Sequence, residues 1–191
     1  MHNCYLQFYF CAMRKLSMDE LNRKTVEEFK QAEKHKIIVV LDNIRSAYNV
    51  GSIFRTSDAF LIECIFVCGY TPPPTHRQVD KTALGASETV DWMQFDNIVD
   101  AINQLKQNDY RIYAVEQAEQ SISLENFSIP HNQKTAVVFG NEVTGVQDLV
   151  MQQCDGCIEI PQQGMKHSLN VSVAAGVVLW QLVKSITYAD L

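Results

Sequence analysis

From residue 37 onward, short apolar runs alternate with stretches of helical spacing, and this alternation sets the expected fold. The runs lie at 37–41, 62–68, 111–115, 135–139 and 157–160, and the helical stretches at 50–60, 96–108, 146–153 and 169–186. Runs that are apolar throughout, rather than on every second residue, mark strands buried on both faces. The expected class is therefore an α/β fold, a parallel sheet with helices on both sides. Ile53, Phe54 and Phe60 are expected to face the core from the first of those helices. In the last one, Ser168 is read as the N-cap and Leu169, Val173, Val177, Trp180 and Val183 as the apolar stripe.

Residues 14–36 are charged, with Leu16, Leu21, Val26 and Phe29 at helical spacing. We read 1–36 as an N-terminal helical extension and 37–191 as one domain. Residues 1–12 are aromatic and apolar but lack the positively charged opening of a secretory signal. Met13-Arg14-Lys15 offers an alternative start, which places 1–12 upstream of it.

Composition narrows the function classes. The chain has 191 residues, 47% of them hydrophobic, enough for one sizeable core. No apolar run approaches the roughly 20 residues that span a bilayer, so no membrane role is expected. A formal net charge of -6 argues against a general polyanion-binding surface. A local basic pocket stays open, since Arg45, Arg55, Arg77, Lys81, Lys166 and His167 fall in polar or loop-like stretches. The pairs Cys64/Cys68 and Cys154/Cys157 allow a zinc reading, but reduced cytosolic thiols account for them better, with Cys64 and Cys68 on one strand face as small hydrophobes. No metal is expected.

In open α/β sheets ligands collect beyond the carboxyl ends of strands. Neither a GxGxxG nor a GxxxxGK[ST] phosphate cradle occurs, and Thr71-Pro72-Pro73-Pro74-Thr75 reads as a stiff connector. Three other loops carry candidate chemistry. The first strand is followed by Asn49, Gly51 and Arg55 at the start of a helix. The fourth is followed by Phe139-Gly140-Asn141-Glu142-Val143-Thr144-Gly145, two glycines around a carboxylate. The last is followed by Ile160-Pro161-Gln162-Gln163-Gly164-Met165-Lys166-His167-Ser168-Leu169-Asn170-Val171-Ser172-Val173-Ala174, a polar loop running into an apolar helix.

Together, and in this order, the three segments resemble the motifs of the SpoU (TrmH-like) RNA ribose 2'-O-methyltransferases of the SPOUT superfamily. Lys81-Thr82-Ala83-Leu84-Gly85-Ala86 is similar to the basic, glycine-containing segment that the family carries between its first two motifs. The resemblance spans about residues 37–182. It implies a parallel-sheet domain with a C-terminal trefoil knot, a homodimer, and S-adenosylmethionine held in a bent form by loops. It implies a cofactor site at Gly140, Ile160, Leu169, Met165, Ser168 and Val115, the last within a segment at 115–117 that lines the same pocket. It further implies a catalytic constellation of Arg55, Asn49, Glu142, Ser168 and Asn170.

An RNA substrate, transfer or ribosomal, follows from a reaction at a 2'-hydroxyl, and DNA does not. Arg45, Lys81 and Lys166 are expected to contact its backbone, and the protein is expected to be cytoplasmic. Gln162 departs from the methionine that many members carry. No large RNA-binding module is expected beside the domain, and substrate selection is expected to rest on the domain, its N-terminal helix and the dimer partner. The competing reading is a catalytically silent RNA-binding or assembly factor that retains the fold.

Overall fold

The computed structural model describes residues 14–17, 19–165 and 168–187. Among these residues seven strands form one sheet: β1 (His35–Asp42), β2 (Ile62–Cys68), β3 (Asp91–Phe95), β4 (Arg111–Val115), β5 (Ile122–Ser123), β6 (Thr135–Phe139) and β7 (Gly156–Glu159). Their order is β3-β2-β1-β6-β4-β7-β5 and every pairing is parallel. The parallel α/β class is thus the observed one, and each predicted run is a strand. The central strands β1 and β6 are buried almost throughout, as runs without polar alternation require.

The sequence did not signal β3 and β5. Both lie at sheet edges, where one flank needs no apolar cover, and β3 (Asp91-Trp92-Met93-Gln94-Phe95) carries polar residues accordingly. β5 is only two residues long.

Among the described residues seven α-helices accompany the strands: α1 (Val26–Gln31), α2 (Ala47–Ala59), α3 (Arg77–Ala83), α4 (Ala86–Thr89), α5 (Ile98–Gln107), α6 (Asp148–Met151) and α7 (Val171–Thr187). One core layer packs Ile37, Val39 and Leu41 of β1 against α2, α3 and α7. The other packs Ile38 and Val40 against α5 and α6. Ile53 and Phe54 are fully buried in the first layer, with Phe60 packed against it. Cys68, buried, and Cys64, half-buried, share the second layer, and burial pushes both thiols up to about 12.

Three expectations change. Residues 14–36 do not form one striped helix: a 3-10 turn at Asp19–Leu21 precedes the six-residue α1, which Thr25 and Glu28 close with a reciprocal capping box. Only Phe29 of the stripe is buried, while Leu16, Leu21 and Val26 stay exposed. Residues 1–13 lie outside the described residues, as do Lys166 and His167. Arg77 and Lys81 sit on α3 rather than in a loop, because Val79 and Ala83, four apart, suffice to seat a short helix.

The third change concerns α7. Its buried face is Val171, Ala175, Val178, Leu179, Leu182 and Ile186, whereas Leu169, Val173, Val177 and Trp180 are 39–53% exposed. Both sets recur at helical spacing, so periodicity alone could not select the inner one. Ser168 is not the cap: the Asn170 carbonyl accepts from the Ala174 amide, and its side-chain Oδ1 accepts from the Ser172 amide at 3.0 Å.

α2 and α3 pack so closely that a Cβ at Gly51 would lie 2.6 Å from the Val79 carbonyl oxygen and 2.7 Å from Thr82 Cβ. Backbone cannot yield as a flexible side chain does. Gly51→Ala is expected to lower stability by about 1–3 kcal/mol, the usual cost of overpacking, read as a fall in the thermal unfolding midpoint.

Candidate active site

The loops that leave β1, β4, β6 and β7 meet beyond the carboxyl ends of those strands. The loop after β6 folds back on itself. Gly145 donates its amide to the Asn141 carbonyl at 2.8 Å, and a Cβ on Gly140 would stand 2.2 Å from the Gly145 carbonyl oxygen. Gly145 has φ +64°, and a Cβ there would strike the Glu116 carboxylate at 2.1 Å. The Asn141 side chain fixes the turn from both ends. Its Oδ1 accepts from the Val143 and Thr144 amides, and its Nδ2 donates to the Asn43 carbonyl at 2.8 Å and the Tyr70 hydroxyl at 2.7 Å.

This turn presents Glu142 to the N-terminus of α2. The carboxylate accepts from the Arg45 amide at 2.9 Å, the Ser46 amide at 3.1 Å and the Asn49 side-chain amide at 2.9 Å. An acid here also complements the positive end of the helix dipole. Burial alone would raise the Glu142 pKa, but the donors from Arg45, Asn49 and Ser46 outweigh it and hold the carboxyl below its ordinary value. Asn49 Oδ1 in turn accepts from Asn170 Nδ2 at 3.1 Å. A single chain of hydrogen bonds, Glu142 to Asn49 to Asn170, therefore joins the loops after β6, β1 and β7.

Around this chain opens a cleft of about 650 Å³. Val115, Gly140, Ile160, Ser168 and Leu169 line it, as do Glu116 and Gln117. Gln162, the departure from the common methionine, also faces it. Met165 is 85% exposed and outside the lining. Arg55 is exposed on α2, two turns beyond Asn49, does not line the cleft, and has no hydrogen-bond or ion-pair partner among the described residues. Arg45 meets the site through its backbone amide, with an exposed side chain; Lys81 is exposed on α3. Lys166 lies outside the described residues.

Two contributors, Tyr70 and Thr71, escaped the sequence reading, and a third, Glu116, fell within the segment at 115–117 that was expected to line the pocket. Glu116 holds the β6 loop from below, its Oε2 accepting from the Val146 amide at 3.1 Å. Tyr70 anchors Asn141. Thr71, buried, donates from its hydroxyl to the Leu41 carbonyl and accepts from the Ile44 amide, both at 3.0 Å. The adjacency of Asn141 to Glu142 was a usable signal; Tyr70 and Thr71 gave none, since only the fold brings them there.

A second cleft, of about 520 Å³, opens over Ile38, Phe66 and Leu105 toward the other ends of the strands. It holds none of the motif residues. Among the described residues no cluster of metal-ligating side chains occurs, and no helix is long and apolar enough to cross a membrane.

Residues 36–180 match the SpoU rRNA Methylase family. The 23S rRNA (guanosine-2'-O-)-methyltransferase RlmB of Haemophilus influenzae is 32% identical over 168 residues, covering 86% of this chain and 66% of the relative. The chain spans about two thirds of the length of the curated relatives it matches. Among solved structures, the A. aeolicus TrmH/SpoU tRNA modifying enzyme superposes with a TM-score of 0.75 at 26% identity, over 86% of this chain and 82% of that one. The AdoMet-bound rRNA methyltransferase of Sinorhizobium meliloti shares the fold with a TM-score of 0.72 at 24% identity, over 80% of this chain and 57% of that one.

Proposed function

Because the chain belongs to the SpoU rRNA methylase family, we propose that it transfers a methyl group from S-adenosylmethionine to a ribose 2'-hydroxyl of structured transfer or ribosomal RNA. The observation that carries this reading is the hydrogen-bond chain from Glu142 through Asn49 to Asn170, which ties all three motif loops around one cleft.

The cleft suits the cofactor. Its volume falls within the range of small-molecule sites, Val115, Ile160 and Leu169 offer apolar surface to an adenosine, and the tight backbone at Gly140 leaves no side chain in the way. Bound S-adenosylmethionine supplies an electrophilic methyl on a sulfonium. Ser168, Leu169, Gly140, Ile160 and Val115 hold the cofactor, and Met165 joins them only if its loop turns inward. Asn49, Glu142 and Asn170 fix the geometry of the reacting pair, where positioning contributes up to about 7–11 kcal/mol.

Arg55 suits the part of a donor rather than a base, since its planar fork carries five N–H groups and no acceptor. It clamps an RNA phosphate and stabilises the developing 2'-oxyanion, while that phosphate or water takes the proton. Arg55 stands outside its own cleft, on the stretch of α2 that packs on α7, with Thr56 beside Gly176 and Phe60 beside Trp180 at 6.0 Å. The exposed apolar face of α7 runs alongside it. We infer a homodimer through that face, with Arg55 of one protomer reaching the other's cleft. Trp180→Glu is expected to yield monomers in sedimentation velocity, with methyl transfer lost.

Residues 37–191 make up the methyltransferase domain, in the cytoplasm, with 1–36 as an extension. The C-terminal knot finds support in the contacts of α7 with the segment before β6: the Ile129 amide donates to Ser185 Oγ, and Gln181 Nε2 to the Phe127 carbonyl. Arg45, Lys81 and Lys166 contact the RNA backbone.

Calorimetric titration with S-adenosylmethionine tests the reading. One site per chain is expected, lost in Gly140→Val, whose side chain forbids the turn. A folded protein with no cofactor affinity would favour the silent RNA-binding factor.

A further inference from the structure

Tyr48 and Tyr70 stand beside the Glu142 junction with their hydroxyls tethered and their rings in solvent. Tyr48 precedes Asn49 in the first turn of α2, is 58% exposed, and its hydroxyl accepts from Gln78 Nε2 at 3.4 Å. Tyr70 follows β2, is 61% exposed, and its hydroxyl accepts from Asn141 Nδ2 at 2.7 Å. Tyrosines bury most of their area in ordinary packing. Here only the polar tip of each is engaged, which fixes the ring and leaves a face open. The root of Tyr70 is rigid as well: its amide donates to Asn43 Oδ1, and the buried Thr71 beside it is bonded on both sides, to Leu41 and Ile44.

Two arginines lie close to Tyr48 and its tether. Arg45 lies three residues before Tyr48, and Arg77 adjoins Gln78 on α3; both side chains are exposed and in no ion pair among the described residues. The nearby Asp80 is engaged by Ser87 Oγ, and Glu142 by its three donors. On a chain of net charge -6, free guanidinium groups flanking two exposed aromatic faces fit a partner that is both stackable and anionic.

We propose that Tyr48 and Tyr70 form a stacking platform for an unpaired nucleotide of the RNA, with Arg45 and Arg77 on its flanking phosphates. This rests on the proposed function and narrows it, because a base inside a duplex has no free face to offer. The site therefore selects loops, bulges or ends over helices.

Fluorescence anisotropy with a hairpin RNA bearing a single-stranded loop, beside a blunt duplex of equal length, tests the platform on the full chain. Tyr48→Ala and Tyr70→Ala are expected to weaken hairpin binding by roughly ten- to hundredfold and to leave duplex binding unchanged. Tyr48→Phe and Tyr70→Phe keep the ring while losing its tether, and are expected to retain most of the hairpin affinity. Cofactor affinity, read by calorimetry, is expected to be unchanged in the Tyr48 variants. Hairpin affinity unaltered in both alanine variants overturns the platform, and so does an equal loss for hairpin and duplex. The binding measurement needs no turnover: a wild-type protein without methyl transfer would count against the function reading while leaving this comparison decisive.

Discussion

Arg55→Ala is expected to abolish methyl transfer, by about 10²–10³-fold or more in kcat, the cost of removing one donor from a developing oxyanion. The cofactor's dissociation constant is expected to stay within about twofold, a change too small to signal a lost contact. The two expectations separate because Arg55 is exposed, carries no partner among the described residues, and lies outside the cleft lining. Nothing in its own protomer's cleft depends on it, so its removal leaves the fold and the cofactor site in place. Arg55→Lys is expected to restore little, since a point ammonium lacks the planar fork that engages a phosphate and an oxyanion at once. Single-turnover transfer from labelled S-adenosylmethionine, set beside calorimetry, reads both. Loss of cofactor binding with normal residual turnover would sink the assignment.

Glu142→Ala is expected to cost at least about 10²-fold in kcat/KM, because it unties the junction rather than one contact. Two backbone amides of Arg45 and Ser46 and the Asn49 amide lose their shared acceptor, and Asn49 is then free to release Asn170. Hydrogen bonds to charged groups contribute about 1.5–3 kcal/mol where water is excluded, and less at this partly exposed site.

The pH dependence follows from the sign of the shift. The folded carboxyl titrates below its ordinary value of 4.5. Its contribution is therefore fully present above the unfolded pKa and is lost as pH falls through the lowered folded one. Wild-type stability is expected to be flat from neutrality to about pH 5 and to lose this contribution only in stronger acid. In Glu142→Gln that acid loss is expected to vanish, with stability reduced near neutrality, as thermal unfolding across pH would show.

How much of this was legible in the sequence depended on how strictly each residue's surroundings constrain its type. β1 and β6, buried on both faces, had to be apolar throughout and so announced themselves. β3 and β5, at the edges, were under no such demand. In α7, apolar on both its buried and its exposed faces, the spacing was visible but the inward direction was not. Asn49, Glu142 and Asn170 were legible as members of three motifs, while their direct bonding is a property of loops brought together across 93 to 121 residues. Ser168 lost its reading as a cap because Asn170, two residues on, satisfies the helix start instead. Tyr70 left no mark at all, since a lone tyrosine after a strand has many ordinary uses, and Glu116 was legible only as part of the segment at 115–117.

Methyl transfer to ribose is read most directly by mass spectrometry of an unmodified RNA pool incubated with the protein and S-adenosylmethionine. One methyl group per target RNA is expected, on the ribose of an unpaired nucleotide, with the adjoining phosphodiester bond made resistant to alkali. A methyl group on a base, or unchanged RNA beside a protein that binds S-adenosylmethionine, would contradict that expectation.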